Sequence, residues 1–110
     1  MLICWPGFVS FITRGFARAI TLWPFIFLNA KSLASDTKLV NHERIHLRQQ
    51  LETGVILFYL WYLTDYLYFR LRGNSHYNAY RLIRFEKEAF DNESNLDFLK
   101  TRKFWNFLRQ

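Results

Sequence analysis

The chain of 110 residues contains one cysteine, two prolines and four glycines. A lone Cys4 excludes an internal disulfide framework and a cysteine-only zinc cluster. So little Pro and Gly, with 51% apolar residues, excludes collagen-like, low-complexity and disordered chains. The length fits one domain, residues 1–110, with no room for a second core. Acidic residues are also scarce, nine Asp and Glu against 15 Lys and Arg. Aromatics are abundant: 12 Phe, 6 Tyr and 4 Trp make up 20% of the chain, more than a small core requires. A net charge of +6 on such a chain suits an anionic membrane surface, an acidic partner or nucleic acid, and charge alone does not choose.

A membrane-spanning run is missing too. The most apolar stretch, Val55 to Phe69, falls short of the roughly 20 residues a span needs and carries Asp65. A carboxylate near a bilayer centre costs roughly 2.5–3.5 kcal/mol, so the stretch reads as a buried central helix. Its Tyr59, Trp61, Tyr62, Tyr66 and Tyr68 keep peripheral membrane contact open, since these rings have one wet end. The N-terminal MLICWPGFVSFITR has no basic side chain before Arg14, and Pro6-Gly7 interrupt it. It therefore reads as part of the mature fold, as does Ala17-Arg18-Ala19, whose flanks do not suit a cleavage site. The expected location is intracellular or peripheral at a membrane surface.

β-branched and aromatic residues predict strands over FVSFIT (8–13) and ARAITLW (17–23), with Arg14-Gly15 as the turn between them. Pro24 cannot donate to a ladder, which makes FIFL an edge or separate strand. The polar segment Asn29–Thr37 reads as a loop. Ser35 or Asp36 then caps a helix running to about Glu52, with Leu39, Val40, Ile45, Leu47 and Leu51 as its apolar stripe. A second helix runs from Val55 to Arg72-Gly73-Asn74. A third covers Asn78–Glu93, with Ala79, Leu82, Ile83, Glu86, Ala89 and Phe90 on one face. A short helix follows Asn95. The fold class is α+β and mostly helical.

Chemistry concentrates in the first helix, where His42-Glu43-Arg44-Ile45-His46 spell H-E-x-x-H. At 100° per residue, His42 and His46 lie about 40° apart around the axis and about 6 Å along it, so both imidazoles reach one metal ion. Glu43, beside the first histidine, is placed to take a proton from metal-bound water rather than to bind metal. Zn2+ suits such a site and can bring bound water toward a pKa of about 7.

Catalytic zinc takes a third protein ligand and keeps one open position. His76 is available but lies in a Gly-Asn-Ser-His turn. Glu86 is the stronger candidate, because an unpaired carboxylate on the apolar stripe of the third helix would be costly and a metal would remove that cost. Glu88 lies about 200° around the helix from Glu86 and faces away. Glu93 is on the same side, nearly two turns further along.

HERIH followed by Phe85-Glu86-Lys87-Glu88-Ala89 resembles the gluzincin metallopeptidases, in which a Glu on a separate helix completes a His-His-Glu site, often within E-x-x-A-D. The small size resembles the minimal members, the minigluzincins, and the likeness covers roughly residues 16–94. It implies a short N-terminal antiparallel β-sheet, an active-site helix, a backing helix, a glutamate helix and a short C-terminal helix. By position it makes His42, His46 and Glu86 the metal ligands and Glu43 the general base. The chain departs from the pattern at Phe90, where the family has Asp. That Asp would orient a ligand histidine, so the support must come from elsewhere. Asn78, Asn92 and Thr64 are candidates.

A hydrolase also needs a group that stabilises the developing oxyanion, for which Tyr80 or Tyr77 is expected. The ITLW–FIFL sheet edge could hold a peptide or protein substrate by β-augmentation. The reaction implied is attack of zinc-polarised water on a peptide carbonyl, with Glu43 carrying the proton to the leaving amine.

Plainer readings exist for each feature. His42 and His46 could be exposed helix histidines, and Glu86 could pair with Arg81 or Arg84. Glu43 with Arg44, Arg48 and Glu52 could form only a solvated salt-bridge face, a reading that stands for Arg48 and Glu52, and Cys4 reads as an inert buried thiol. Lys100, Arg102, Lys103 and Arg109, interleaved with Phe104, Trp105 and Phe107, could stack on bases, sit at a membrane interface or pack on the domain. The alternative function is an inactive metallopeptidase-like module that binds metal, a membrane or a partner. No nucleic-acid-binding motif accompanies the charge.

Overall fold

The computed structural model describes residues 2–13 and 18–108, residues 10–13 by their backbone alone. Among the described residues the chain is α+β and mostly helical, with strands confined to its N-terminal part. Strand β1 spans Leu2–Cys4 and helix α1 spans Pro6–Thr13. The expected strand over 8–13 is thus a helix. Pro6 stands at its first position, where the missing N–H costs nothing and the fixed φ starts a helix, and this outweighs the strand preference of the residues behind it. The expected turn at Arg14-Gly15 and the pattern at Ala17 lie outside the described residues. Cys4 is exposed rather than buried.

Strands β2 (Ala19–Leu22) and β3 (Phe25–Leu28) form an antiparallel hairpin around Trp23-Pro24. Strand β1 adds to the far side of β3 in parallel, giving the order β1-β3-β2. FIFL is therefore the central strand. Pro24 sits in the turn before it, so the missing N–H falls outside the ladder. The sheet is mixed, with its antiparallel part at β2–β3.

A 3-10 turn, Lys31–Ser35, leads to α2 (Thr37–Thr53), whose first turn is capped by Asp36 accepting from the Leu39 N–H over 3.1 Å. Gly54, at φ 83°, ends α2 and starts α3 (Val55–Leu71). This left-handed value explains why the position carries glycine.

The expected third helix is two helices, α4 (His76–Leu82) and α5 (Arg84–Asn92), separated by an extended Ile83. Asp65 of α3 makes the break. Its Oδ2 accepts from the Arg84 N–H (3.1 Å) and from the Arg84 guanidinium (2.8 Å). The charge inside the apolar run is thus a helix cap from a neighbouring element. After α5 the chain adds α6 (Phe98–Thr101) and a 3-10 turn at Asn106–Leu108.

Two apolar clusters flank α2. One joins Ala19, Ile26 and Leu28 of the sheet to Leu39 and Leu47. The other contains Phe58, Ile83, Phe85 and Phe107, with Trp61 and Trp105 against it. Ring pairs such as Phe58–Phe85 (4.4 Å) and Phe85–Phe107 (4.7 Å) absorb much of the aromatic content. Of the C-terminal aromatics, Phe104 is exposed, while Trp105 and Phe107 therefore pack on the domain. Arg102 is buried among them rather than displayed as part of a basic patch.

Candidate metal centre

Helix α2 runs between the sheet and α5, and its inward faces carry polar groups. His42, Glu43, His46, Gln49 and Gln50 are all buried, while Arg44 points to solvent. Among the described residues no buried side-chain nitrogen or oxygen lacks a hydrogen-bond partner.

The first turn of α5 brings Glu86 against the two histidines. Its Oε1 lies 2.9 Å from His42 Nε2 and 3.0 Å from His46 Nε2, and the two Nε2 atoms are 3.2 Å apart. Four-coordinate zinc with bonds of about 2.0–2.1 Å keeps neighbouring donors about 3.3 Å apart, so the donor spacing fits such an ion. Glu86 pairs with neither Arg81 nor Arg84; Arg84 is on Asp65, and Arg81 covers the Phe90 ring at 3.8 Å. His76 takes no part in this group and meets the Tyr66 hydroxyl at 2.7 Å.

The outer nitrogens make the same point. His42 Nδ1 is 2.7 Å from Glu93 Oε2, and His46 Nδ1 is 2.7 Å from Gln49 Oε1. A carboxylate only accepts. The Gln49 amide is oriented because its nitrogen donates to Phe85 O (3.0 Å) and Glu88 Oε1 (2.8 Å). Each Nδ1 therefore donates, which leaves the Nε2 lone pairs for a metal.

The histidine support expected from Asn78, Asn92 or Thr64 comes instead from Glu93 and Gln49. Asn78 is in the Ser75 cap, Asn92 donates to Glu88 O, and Thr64 donates to Leu60 O. Phe90, the departure from E-x-x-A-D, stands edge-on to the His42 ring at 4.5 Å. It packs on the ring, and Glu93 supplies the hydrogen bond one turn later. Lys38 (3.5 Å from Glu93 Oε1) neutralises that carboxylate, and Asn41 donates to Glu93 O to hold the end of α5.

With protons as the only cations, burial would lower the His46 pKa. The adjoining Glu86 carboxylate and its hydrogen bond prevail and push it up to about 9. Burial would raise Glu86 in turn, yet His46 and the hydrogen bonds from both imidazoles hold it well below the usual carboxylate range. A buried anion facing two imidazoles calls for a positive charge between them.

Glu43 stands beside the cluster without joining it, with Oε2 3.9 Å from His42 Nε2. Thr21 of β2 donates its hydroxyl to Glu43 Oε1 over 2.9 Å. Tyr62 of α3 donates to Glu86 Oε2 (2.7 Å), and Tyr80 of α4 is also hydrogen-bonded to Glu86. Burial first and the Glu86 charge second raise both phenols well above their ordinary pKa, so both remain proton donors. Tyr77 is half exposed, and its hydroxyl accepts from Arg81.

Two cavities meet at Glu43 and Tyr80. One, of about 260 Å³, is lined by Ile20, Phe58, Tyr59, Tyr62 and Ile83 beside His46 and Glu86. The other, of about 430 Å³, is lined by Arg18, Lys38, Tyr77 and Glu93 beside His42. The outer edge of β2 is partly closed. Gln50 donates to Thr21 O (2.8 Å) and accepts from the Trp23 N–H (2.7 Å), and Tyr59 also donates to Thr21 O (2.6 Å). Backbone pairing by an added strand is therefore left to the Ala19 end of β2.

Behind the cluster lies a second buried polar group. Glu88 faces away from the metal ligands and receives Gln49, Arg102 (3.0 Å) and Asn106 (2.7 Å). Arg102 also pairs with both oxygens of Glu52, at 2.7 and 3.0 Å. Burial would lower the Arg102 pKa, but the two carboxylates raise it. Glu52 therefore belongs to a buried ion cluster rather than to a solvated face. Comparisons with protein-family models, with curated proteins and with solved structures return no match to this chain.

Proposed function

We propose that this protein is a zinc-dependent metallopeptidase that hydrolyses peptide bonds. The observation that carries the reading is the convergence of His42 Nε2, His46 Nε2 and Glu86 Oε1 within 3.2 Å of one another, with Glu43 beside them and outside the ligand set. Three buried donors, two of them imidazoles whose Nδ1 is bonded outward to Glu93 or Gln49, suit zinc and leave a fourth position for solvent or substrate. A bound zinc supplies Lewis acidity, which acidifies water and polarises a carbonyl.

The chain's own groups divide the remaining work. Glu43, held by Thr21 at the junction of the two cavities, receives a proton from the attacking water and delivers it to the leaving amine. Tyr80 lines both cavities and keeps its phenolic proton, which would turn from Glu86 to a developing oxyanion. Tyr62 spends its proton on Glu86 and fixes that carboxylate. The apolar cavity accepts a large apolar side chain next to the scissile bond, and Ala19 offers backbone to a short extended segment.

The test is metal analysis of the purified chain together with peptide cleavage. One zinc per chain is expected, lost in His46→Ala and Glu86→Ala. Glu43→Ala should keep zinc and lose cleavage by at least about 10³-fold. Cleavage that survives in Glu43→Ala removes the catalytic assignment, and a wild-type chain that binds no zinc removes the reading altogether.

A further inference from the structure

Helix α3 covers the site from behind with its inner face, through Phe58, Tyr59 and Tyr62, and has no such duty on its outer face. There Ile56, Leu60, Leu63, Leu67 and Leu71 follow one another at spacings of four, three, four and four residues. They are 79%, 60%, 52%, 49% and 88% exposed. The strip is about 22 Å long at 1.5 Å per residue. Leu57 and Tyr68, each about half exposed, widen it. Soluble monomers rarely leave so long a contiguous apolar surface uncovered.

We propose that this face lies flat on an anionic lipid bilayer, with α3 parallel to the membrane plane. The charges on the helix select this occupant. Between Val55 and Phe69 the sequence has one charge, Asp65, which is buried against Arg84. The charges that α3 and its cap display are Arg70 and Arg72, both exposed, at the end of the strip. Apolar side chains flanked by arginines, on a chain of net charge +6, match the acyl boundary and headgroups of an anionic leaflet. No helix among the described residues is long and apolar enough to cross a membrane, so contact is peripheral.

A second copy of the chain fits less well. The spacing from Ile56 to Leu67 would suit a helix–helix seam, but the next seam position is Arg70, and two chains of +6 repel each other. The membrane proposal does not depend on the peptidase reading, and its experiment uses no substrate.

The test is co-sedimentation of the full chain with phosphatidylcholine vesicles, with and without phosphatidylglycerol. Binding to the anionic vesicles is expected, weakening in high salt. It should fall at least about tenfold in both the triple variant L60S/L63S/L67S and the double variant R70E/R72E. Both variants should keep the wild-type circular dichroism and melting temperature, which separates lost docking from misfolding. Absence of vesicle binding overturns the proposal, as does binding that ignores lipid charge or both sets of substitutions. A dimer by light scattering that the leucine substitutions dissociate, with no vesicle binding, assigns the strip to a second copy instead.

Discussion

The hydroxyl of Thr21 donates to Glu43 Oε1 over 2.9 Å, tying a strand residue to the helix residue expected to move the proton. Both residues are buried, at 2% and 6% exposure, so little solvent competes. Thr21→Val keeps the shape of the side chain and removes the donor. Peptide cleavage should fall about tenfold to a hundredfold while zinc content stays unchanged, since Glu43 is not a ligand. Steady-state cleavage alongside metal analysis separates the two effects, and equal loss of both would make Thr21 a structural residue only.

The outer-nitrogen partners predict a graded loss of metal. Glu93→Ala and Gln49→Leu each remove the acceptor from one ligand histidine. Each should weaken zinc binding about tenfold to a hundredfold in a competition titration with a chelator. Glu93→Gln retains an acceptor on the same stem and should recover part of the affinity. Wild-type affinity in Glu93→Ala would show that Phe90 packing alone orients His42.

Arg102 is the cation for two buried carboxylates, with no measurable exposure of its own side chain. Arg102→Met leaves Glu52 and Glu88 facing each other unpaired. Breaking a buried pair from one side costs about 3–5 kcal/mol. For a chain of this size the melting temperature should drop by more than about 10 °C. Adding Glu88→Gln and Glu52→Gln to Arg102→Met removes the stranded charges and should restore part of that loss. A melting temperature unchanged in Arg102→Met would contradict the burial of the cluster.

Stability of the metal-free protein should depend on pH with a defined sign. His46 rises from its ordinary 6.5 to about 9 on folding, so its contribution is complete below 6.5 and disappears as pH climbs through 9. Glu86 is depressed from its ordinary 4.5, so its contribution is present above 4.5 and disappears as pH falls. The denaturant midpoint of chelator-treated protein should therefore be highest between about pH 4.5 and 6.5. His46→Ala should flatten the alkaline side. A wild-type midpoint that stays level from pH 6.5 to 9 would argue against the His46–Glu86 contact.

Local pattern carried much of this site. The four-residue spacing of His42 and His46 is a property of any α-helix, so their shared direction could be read without knowing the neighbours. Glu86 was legible for a related reason: a carboxylate on an apolar helical face needs a partner, and few cations suit that position. The support groups gave little signal. Glu93 sits past the end of a helix, where turn geometry sets its direction. Gln49 is one of two adjacent glutamines with nothing to distinguish it, and Thr21 resembles any other strand threonine. The break at Ile83 has no local signal, because its cause, Asp65, is 18 residues upstream on another helix.

Composition, periodicity and the H-E-x-x-H spacing determined by themselves that the chain is α+β and mostly helical, with two histidines and a glutamate on one helix. Those features depend on backbone geometry and on contacts within a few residues, which local sequence encodes. Tertiary structure alone decided that FIFL is a central strand and that Glu93 and Gln49 orient the histidines. It also decided that Arg102 is internal and that the outer leucines of α3 are left uncovered. Each of these depends on which surfaces meet across tens of residues, and burial is a property of the assembled chain rather than of any segment.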